Sequence, residues 1–155
     1  LNYCYAGHPA ILRYNRRAEA WRPLRLDEDR DRGLRNVPFG AADDVVYDVG
    51  TCTLTEGDLL LLYSDGVTEA PDARSVLFGE QRLLERLGDR ADRPEVEILD
   101  GLMEAICGHS GRIAPEHDDV TALLFRAHAP VGGPLAWHLV RNRLRKWRRG
   151  RAPAS

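Results

Sequence analysis

The stretch LTEGDLLLLYSDGVTEA, residues 54–70, decides how this chain folds. Glu56-Gly57-Asp58 is a turn signal, and the run 59–63 that follows, up to Ser64, is apolar. A strand with one face in water alternates apolar with polar side chains. An unbroken apolar run instead suits a strand covered on both faces, at the centre of a layered fold. The run stops at Asp65-Gly66, which leaves a carboxylate at the rim of the strand and gives the backbone a glycine for a tight turn. Turn preferences alone read such an Asp-Gly as an Asx turn capping the strand. A carboxylate aimed into a cleft is the alternative.

On the N-terminal side, short β-type runs at 1–5, 10–14, 21–26 and 45–54 predict antiparallel strands. The intervening 27–33 and 36–44, rich in Asp, Arg, Gly and Pro, read as loops. On the C-terminal side, Leu83, Leu84 and Leu87 recur at helical spacing in 80–87. In 94–107, Val96, Leu99, Met103 and Ile106 predict an apolar stripe, with Pro94 at the first helical position and Gly108 at the end. A last strand is expected at 120–126, with Leu123 and Phe125 on one face. Strands, then helices, then a strand point to an α+β layered fold rather than alternating βαβ units.

The 155 residues are about one domain's length, and 43% of them are hydrophobic, enough to build a core. The net charge of −2 conceals a division. All 24 acidic residues precede Ala129, whereas Arg141, Arg143, Arg145, Lys146, Arg148, Arg149 and Arg151 crowd the end, so the body carries about −9 and the tail about +7. The body thus has no basic surplus for holding nucleic acid, and no specific nucleic-acid partner is expected. Three widely spaced cysteines, Cys4, Cys52 and Cys107, suggest neither a disulfide framework nor a cysteine zinc site and fit a reducing, cytoplasmic setting. The longest apolar run, 59–63, is far below the roughly 20 residues of a membrane-spanning helix.

A second acidic site is the pair Asp118-Asp119 at the start of the last strand. Neighbours on a strand point to opposite faces, so one of the two at most enters a given cleft. Otherwise the pair is a solvated acidic loop. Three further possibilities are weak. His109, His117 and Asp118 match no helical or finger-type zinc spacing. Ser110 in GHSG lacks the intervening residue of a G-x-S-x-G elbow. GVTEAPD is not a phosphate-cradling glycine loop.

Five blocks in order carry a more specific message: Asn2 with AGHPAILRY at 6–14, LRNVPFG at 34–40, LTEGDLLLLYSDGVTEA at 54–70, LFGEQRL at 77–83 and DDVTALLF at 118–125. Together they resemble the C-terminal half of PPM-type (protein phosphatase 2C-like) serine/threonine phosphatases, in the sporulation-E-like bacterial branch. The resemblance covers nearly all of 1–126. It implies a partial αββα sandwich, antiparallel β-layers flanked by helices, with two Mn²⁺ or Mg²⁺ ions at one end of the layers in a complete domain. Asp65 and Asp118 are then the metal ligands and catalytic carboxylates, with Gly66, Asp119 and His8 supporting them. For His8, orienting a turn is favoured over catalysis. Hard divalent cations take oxygen ligands, and a pair about 3.5–4 Å apart activates a shared water for in-line attack on phosphorus.

The implied substrate is a phosphoserine or phosphothreonine protein, such as a STAS-domain anti-anti-sigma factor in bacterial sigma-factor control. One departure stands against full activity. The family's Asp-Val-x-Gly-His-Gly type motif, which supplies the bridging carboxylate, lies upstream of AGHP and is absent from these 155 residues. The chain also opens at Leu1 within a strand-like stretch, and so reads as a fragment. A catalytically inactive regulatory or protein-binding remnant is accordingly the alternative function. The expected organisation is a partial phosphatase domain at 1–127, a linker at 128–133 and a basic tail at 134–155. In the tail Ala136, Val140, Leu144 and Trp147 form a stripe opposite the arginines. Helical or disordered, the tail is a candidate for contact with an anionic membrane surface.

Overall fold

The computed structural model describes residues 1–26, 36–88, 90–111 and 118–129. The basic tail, His117 and the loop 27–33 lie outside them. In chain order the elements are β1 (Asn2–Tyr3), β2 (Leu12–Asn15), β3 (Ala20–Pro23), β4 (Gly50–Thr51), β5 (Leu59–Tyr63), a 3₁₀ turn (Asp65–Val67), α1 (Gly79–Gly88), α2 (Glu95–Ser110) and β6 (Ala122–Arg126). Four strands form an antiparallel sheet in the order β3-β2-β5-β6, and β1 pairs antiparallel with β4 in a separate two-stranded sheet. Antiparallel sheets flanked by two helices make an α+β fold, a partial αββα sandwich.

The apolar run of β5 lies inside the sheet because both its neighbours pair with it: Leu61 faces Leu12 of β2 and Leu124 of β6 in register. Leu59, Leu61 and Tyr63 point to the helices and join Leu12, Tyr14, Leu83, Leu87, Ile98, Leu102 and Ile106 in one core. Each such side chain contributes about 1.5–3 kcal/mol through burial. Leu60 is also buried, but its partners on the other face are less covered: Phe125, opposite Leu60, and Leu123, opposite Leu62, are 53% and 51% exposed. The expectation of cover on both sides of β5 therefore holds fully toward the helices and grades off on the reverse face.

Polar ties fix the layers. Asp58, buried at the start of β5, accepts from the Arg13 guanidinium at 2.7 Å, the Arg16 amide at 2.9 Å and the Thr55 amide at 3.0 Å. Burial pushes this carboxyl up, but the Thr55 and Arg16 amides and then Arg13 outweigh it, holding Asp58 below the ordinary carboxylate range. The Trp21 indole donates to Leu87 O at 3.1 Å, joining β3 to the end of α1. Arg126 of β6 pairs with Glu95 and donates to Arg93 O at 2.7 Å, fixing the start of α2.

Two expectations about α2 need correction. Val96 is 63% exposed, and the fully buried positions are Ile98, Leu102 and Ile106, with Leu99 and Met103 beside them. The stripe is thus centred two residues later at its start, because Arg126 and Glu95 anchor the first turn at the sheet's edge. The helix also runs through Gly108 and ends where Gly111 takes a left-handed φ of 68° and donates to Cys107 O. Pro94 precedes the helix, with extended ψ, instead of forming its first residue.

Candidate metal centre

Beyond Tyr63 and Ala122, the last paired residues of β5 and β6, the two segments stay together through Ser64. Ser64 N donates to Thr121 O at 2.9 Å, Ser64 Oγ accepts from Thr121 N at 2.9 Å, and the same Oγ donates to Asp119 O at 2.9 Å. Ser64 therefore pins the Asp118-Asp119 segment beside the turn that begins at Asp65. Next to it, buried Gly66 completes the contact. A Cβ built on Gly66 would lie 2.6 Å from Asp119 O and 3.5 Å from Asp118 Cβ. Glycine is needed here for close approach of two backbones. The tight turn expected at Asp65-Gly66 is the 3₁₀ turn, and Gly66 makes it without a positive φ.

Asp65, Asp118 and Asp119 are all exposed. Asp65 Oδ1 accepts from Gly66 N at 3.0 Å, and Asp118 Oδ1 accepts from Asp119 N at 2.7 Å. Each carboxylate is thus oriented by the amide that follows it. The second oxygen of each has no protein partner among the described residues. The Asp65 carbonyl is held too, accepting from Thr68 N and Glu69 N at 2.8 Å each. The fold brings the segments of the two candidate acids into contact. Sequence reasoning passed over Ser64; the signal was a hydroxyl placed between an apolar strand and its Asp-Gly turn.

His8 sits elsewhere. Its Nδ1–H donates to Pro9 O at 3.2 Å, and with Tyr5, Ala10, Arg25, Leu26 and Asn36 it lines a cavity of about 360 Å³. Among the described residues no hydrogen bond or ion pair joins it to Asp65, Asp118 or Asp119. Its neighbour Gly7, at φ 75°, packs on Pro38, where a Cβ would come within 2.3 Å of the proline ring, and Gly7 N donates to Asn36 O at 2.7 Å. The AGHP and NVPFG blocks therefore meet as one loop cluster. Asp48 belongs to that cluster, accepting from Asn36 Nδ2 at 3.1 Å. His109 donates to Val76 O, and Ser110 Oγ donates to Cys107 O at 3.1 Å; neither is arranged as a zinc ligand or nucleophile.

Divalent metal ions fit these residues in part. Two carboxylates, each with one oxygen to spare, suit a hard cation. Among the described residues no group of three or more His, Cys, Asp or Glu converges to complete a site. No described helix is long and apolar enough to cross a membrane.

The model of the stage II sporulation protein E (SpoIIE) family matches residues 1–128. Protein IcfG of Synechocystis sp. is 32% identical over 126 residues, which is 79% of this chain but 18% of that protein. The RsbU and RsbW domains of a Mycobacterium tuberculosis protein superpose with a TM-score of 0.64 at 25% identity, covering 94% of this chain and 40% of theirs. The PP2C phosphatase domain of SpoIIE from Bacillus subtilis, solved with a fragment of its regulatory domain, gives 0.60 at 23% identity over 82% of this chain and 34% of that one. The chain thus spans about a fifth of the curated relative and between a third and a half of these solved ones. Matched over residues 1–128 and folded as its relatives are, the chain belongs to the SpoIIE family, a branch of the PP2C-type phosphatases.

Proposed function

We propose that this chain, as it stands, is a catalytically silent part of a metal-dependent protein serine/threonine phosphatase domain. It contributes Asp65 and Asp118 to a divalent-metal site that needs a further carboxylate to work. The observation that carries this reading is the contact of Gly66 with the Asp118-Asp119 backbone, in a structure whose described residues gather no third acid. When bound, paired Mn²⁺ or Mg²⁺ would supply Lewis acidity and an activated water for in-line attack on a phosphoryl group. The chain's own residues do the positioning. Ser64 holds the two segments together, the Gly66 and Asp119 amides each fix one carboxylate oxygen, and the remaining oxygens of Asp65 and Asp118 are the proposed ligands. Asp119 lends its carbonyl to Ser64 and is proposed to act by support. Phosphoserine or phosphothreonine on a regulatory protein is the proposed substrate class, with a STAS-domain anti-anti-sigma factor as its proposed form.

The test joins the chain to a donor N-terminal half of a related phosphatase and follows Mn²⁺-dependent phosphate release from a phosphoserine peptide. Asp65→Asn and Asp118→Asn should each lower the rate by more than the roughly 10–100-fold that loss of a supporting partner of a ligand costs, and Asp119→Asn by no more than that. Equal losses at 118 and 119 would mean the wrong neighbour has been named. A second reading, a protein-binding remnant with no catalysis, draws on the same lack of a converging third acid. It prevails if the joined protein is folded and binds the phosphopeptide but releases no phosphate.

A further inference from the structure

Between the Asp65 turn and α1 the chain forms a loop, residues 70–78, laddered upon itself. Phe78 N donates to Ala70 O at 2.8 Å, Pro71 and Leu77 form an antiparallel bridge, and Asp72 N donates to Val76 O at 2.9 Å. The ladder continues into the turn, because Gly79 N donates to Thr68 O at 2.8 Å, and Thr68 and Glu69 are the residues whose amides hold the Asp65 carbonyl. The base of the loop is secured from α1, where Arg82 Nη1 donates to Leu77 O and Phe78 O at 3.0 Å each. Its far side has little burial to hold it: Val76 and Leu77 are 46% and 50% exposed.

A second helix reaches that side. In the last turn of α2, His109 Nε2 lies 2.9 Å from Val76 O, the carbonyl that also accepts from Asp72 N. A carbonyl only accepts, so His109 carries its proton on Nε2. Its ring meets buried Phe78 edge-on, with centroids 5.5 Å apart.

We propose that His109 is a positioning residue, latching the 70–78 loop to α2 and through the loop's ladder holding the turn that presents Asp65. This rests on the reading of Asp65 as a metal ligand given above. Nothing in it requires His109 to touch metal or substrate.

The test uses the full chain and reads amide hydrogen exchange residue by residue, with no metal present. In His109→Ala, exchange at Asp72, Phe78 and Gly79 should quicken about fivefold, the worth of one hydrogen bond, with a smaller rise at Thr68 and Glu69. Amides in the middle of α2, such as Ile106, should not change. His109→Gln, whose side-chain amide can still donate, should restore most of the protection. Unchanged exchange over 68–79 in His109→Ala overturns the proposal, as does an equal rise at Ile106, which would mean general loosening. A separate titration follows Mn²⁺-induced broadening of the Gly66 and Asp118 resonances. If the wild-type chain joined to the donor N-terminal half shows no broadening, the metal reading fails while the exchange data still judge the latch. If the wild type binds and His109→Ala binds with the same midpoint, the latch does not position Asp65.

Discussion

Gly66 is the point at which two segments, 53 positions apart from Gly66 to Asp119, touch without a side chain between them. A methyl group there would press on the Asp119 carbonyl at 2.6 Å, and backbone cannot swing aside as a flexible side chain can. Gly66→Ala is therefore expected to cost about 1–3 kcal/mol of stability, in the range of overpacking, and to spread Asp118 away from Asp65. Urea unfolding and the chemical shifts of the Asp118 and Asp119 amides check both effects; wild-type values for each would contradict the close-contact account. Asp58 is a second residue whose role is set by its surroundings. Its folded pKa lies below that of the unfolded chain, so its contribution is fully present above about pH 4, the unfolded carboxylate value, and is lost as pH falls through the folded pKa. Asp58→Asn should cost about 2–3 kcal/mol at pH 7, somewhat below the range for a fully buried pair because Arg13 retains some solvent access. Urea midpoints of wild type and variant should draw together as the pH is lowered toward 3, and a constant gap would count against the charged network.

At the scale of elements, β5 was legible from its letters because an apolar run between EGD and SDG leaves few options, and the pairing with β2 and β6 follows from that central place. The types of α1, α2 and β6 were legible for the same reason: their apolar spacings are clear. The face of α2 was legible except at its start: Leu99, Met103 and Ile106 pack with Ile98 and Leu102, whereas Val96, in the first turn beside the Arg126–Glu95 pair, is exposed. Val96→Ser is accordingly expected to change the unfolding free energy by less than about 0.5 kcal/mol, as surface changes do, whereas Ile98→Ala should cost about 2–5 kcal/mol. Comparable losses from the two would return the stripe to Val96. At the candidate site, Asp65 and the Asp118-Asp119 pair could be singled out because each lies beside an apolar strand. The Ser64 hub and the Gly66 contact could not, because a tertiary contact leaves no periodic trace.

For the whole molecule, the fold brings the Asp65 turn and the Asp118 segment together at one end of the four-stranded sheet, while His8 and its loop cluster form a separate lining around Tyr5, Arg25 and Asn36. Ser64 pins the first pair, and the Gly7–Asn36 backbone hydrogen bond ties the second. The first arrangement supplies two oriented carboxylates, and among the described residues no group of three or more His, Cys, Asp or Glu is placed to hold a metal ion. Two ligands leave a small divalent ion mostly hydrated and set no fixed separation between a pair of ions, the geometry on which a two-metal hydrolase depends. The most direct measurement is phosphate release from a phosphoserine peptide by the 155-residue chain alone, with Mn²⁺ in excess and a chelated control. No release above that control is expected. Metal-dependent turnover at about 1 s⁻¹ or faster, the ordinary range of enzymes, would contradict it, since another acid of this chain would then be completing the site.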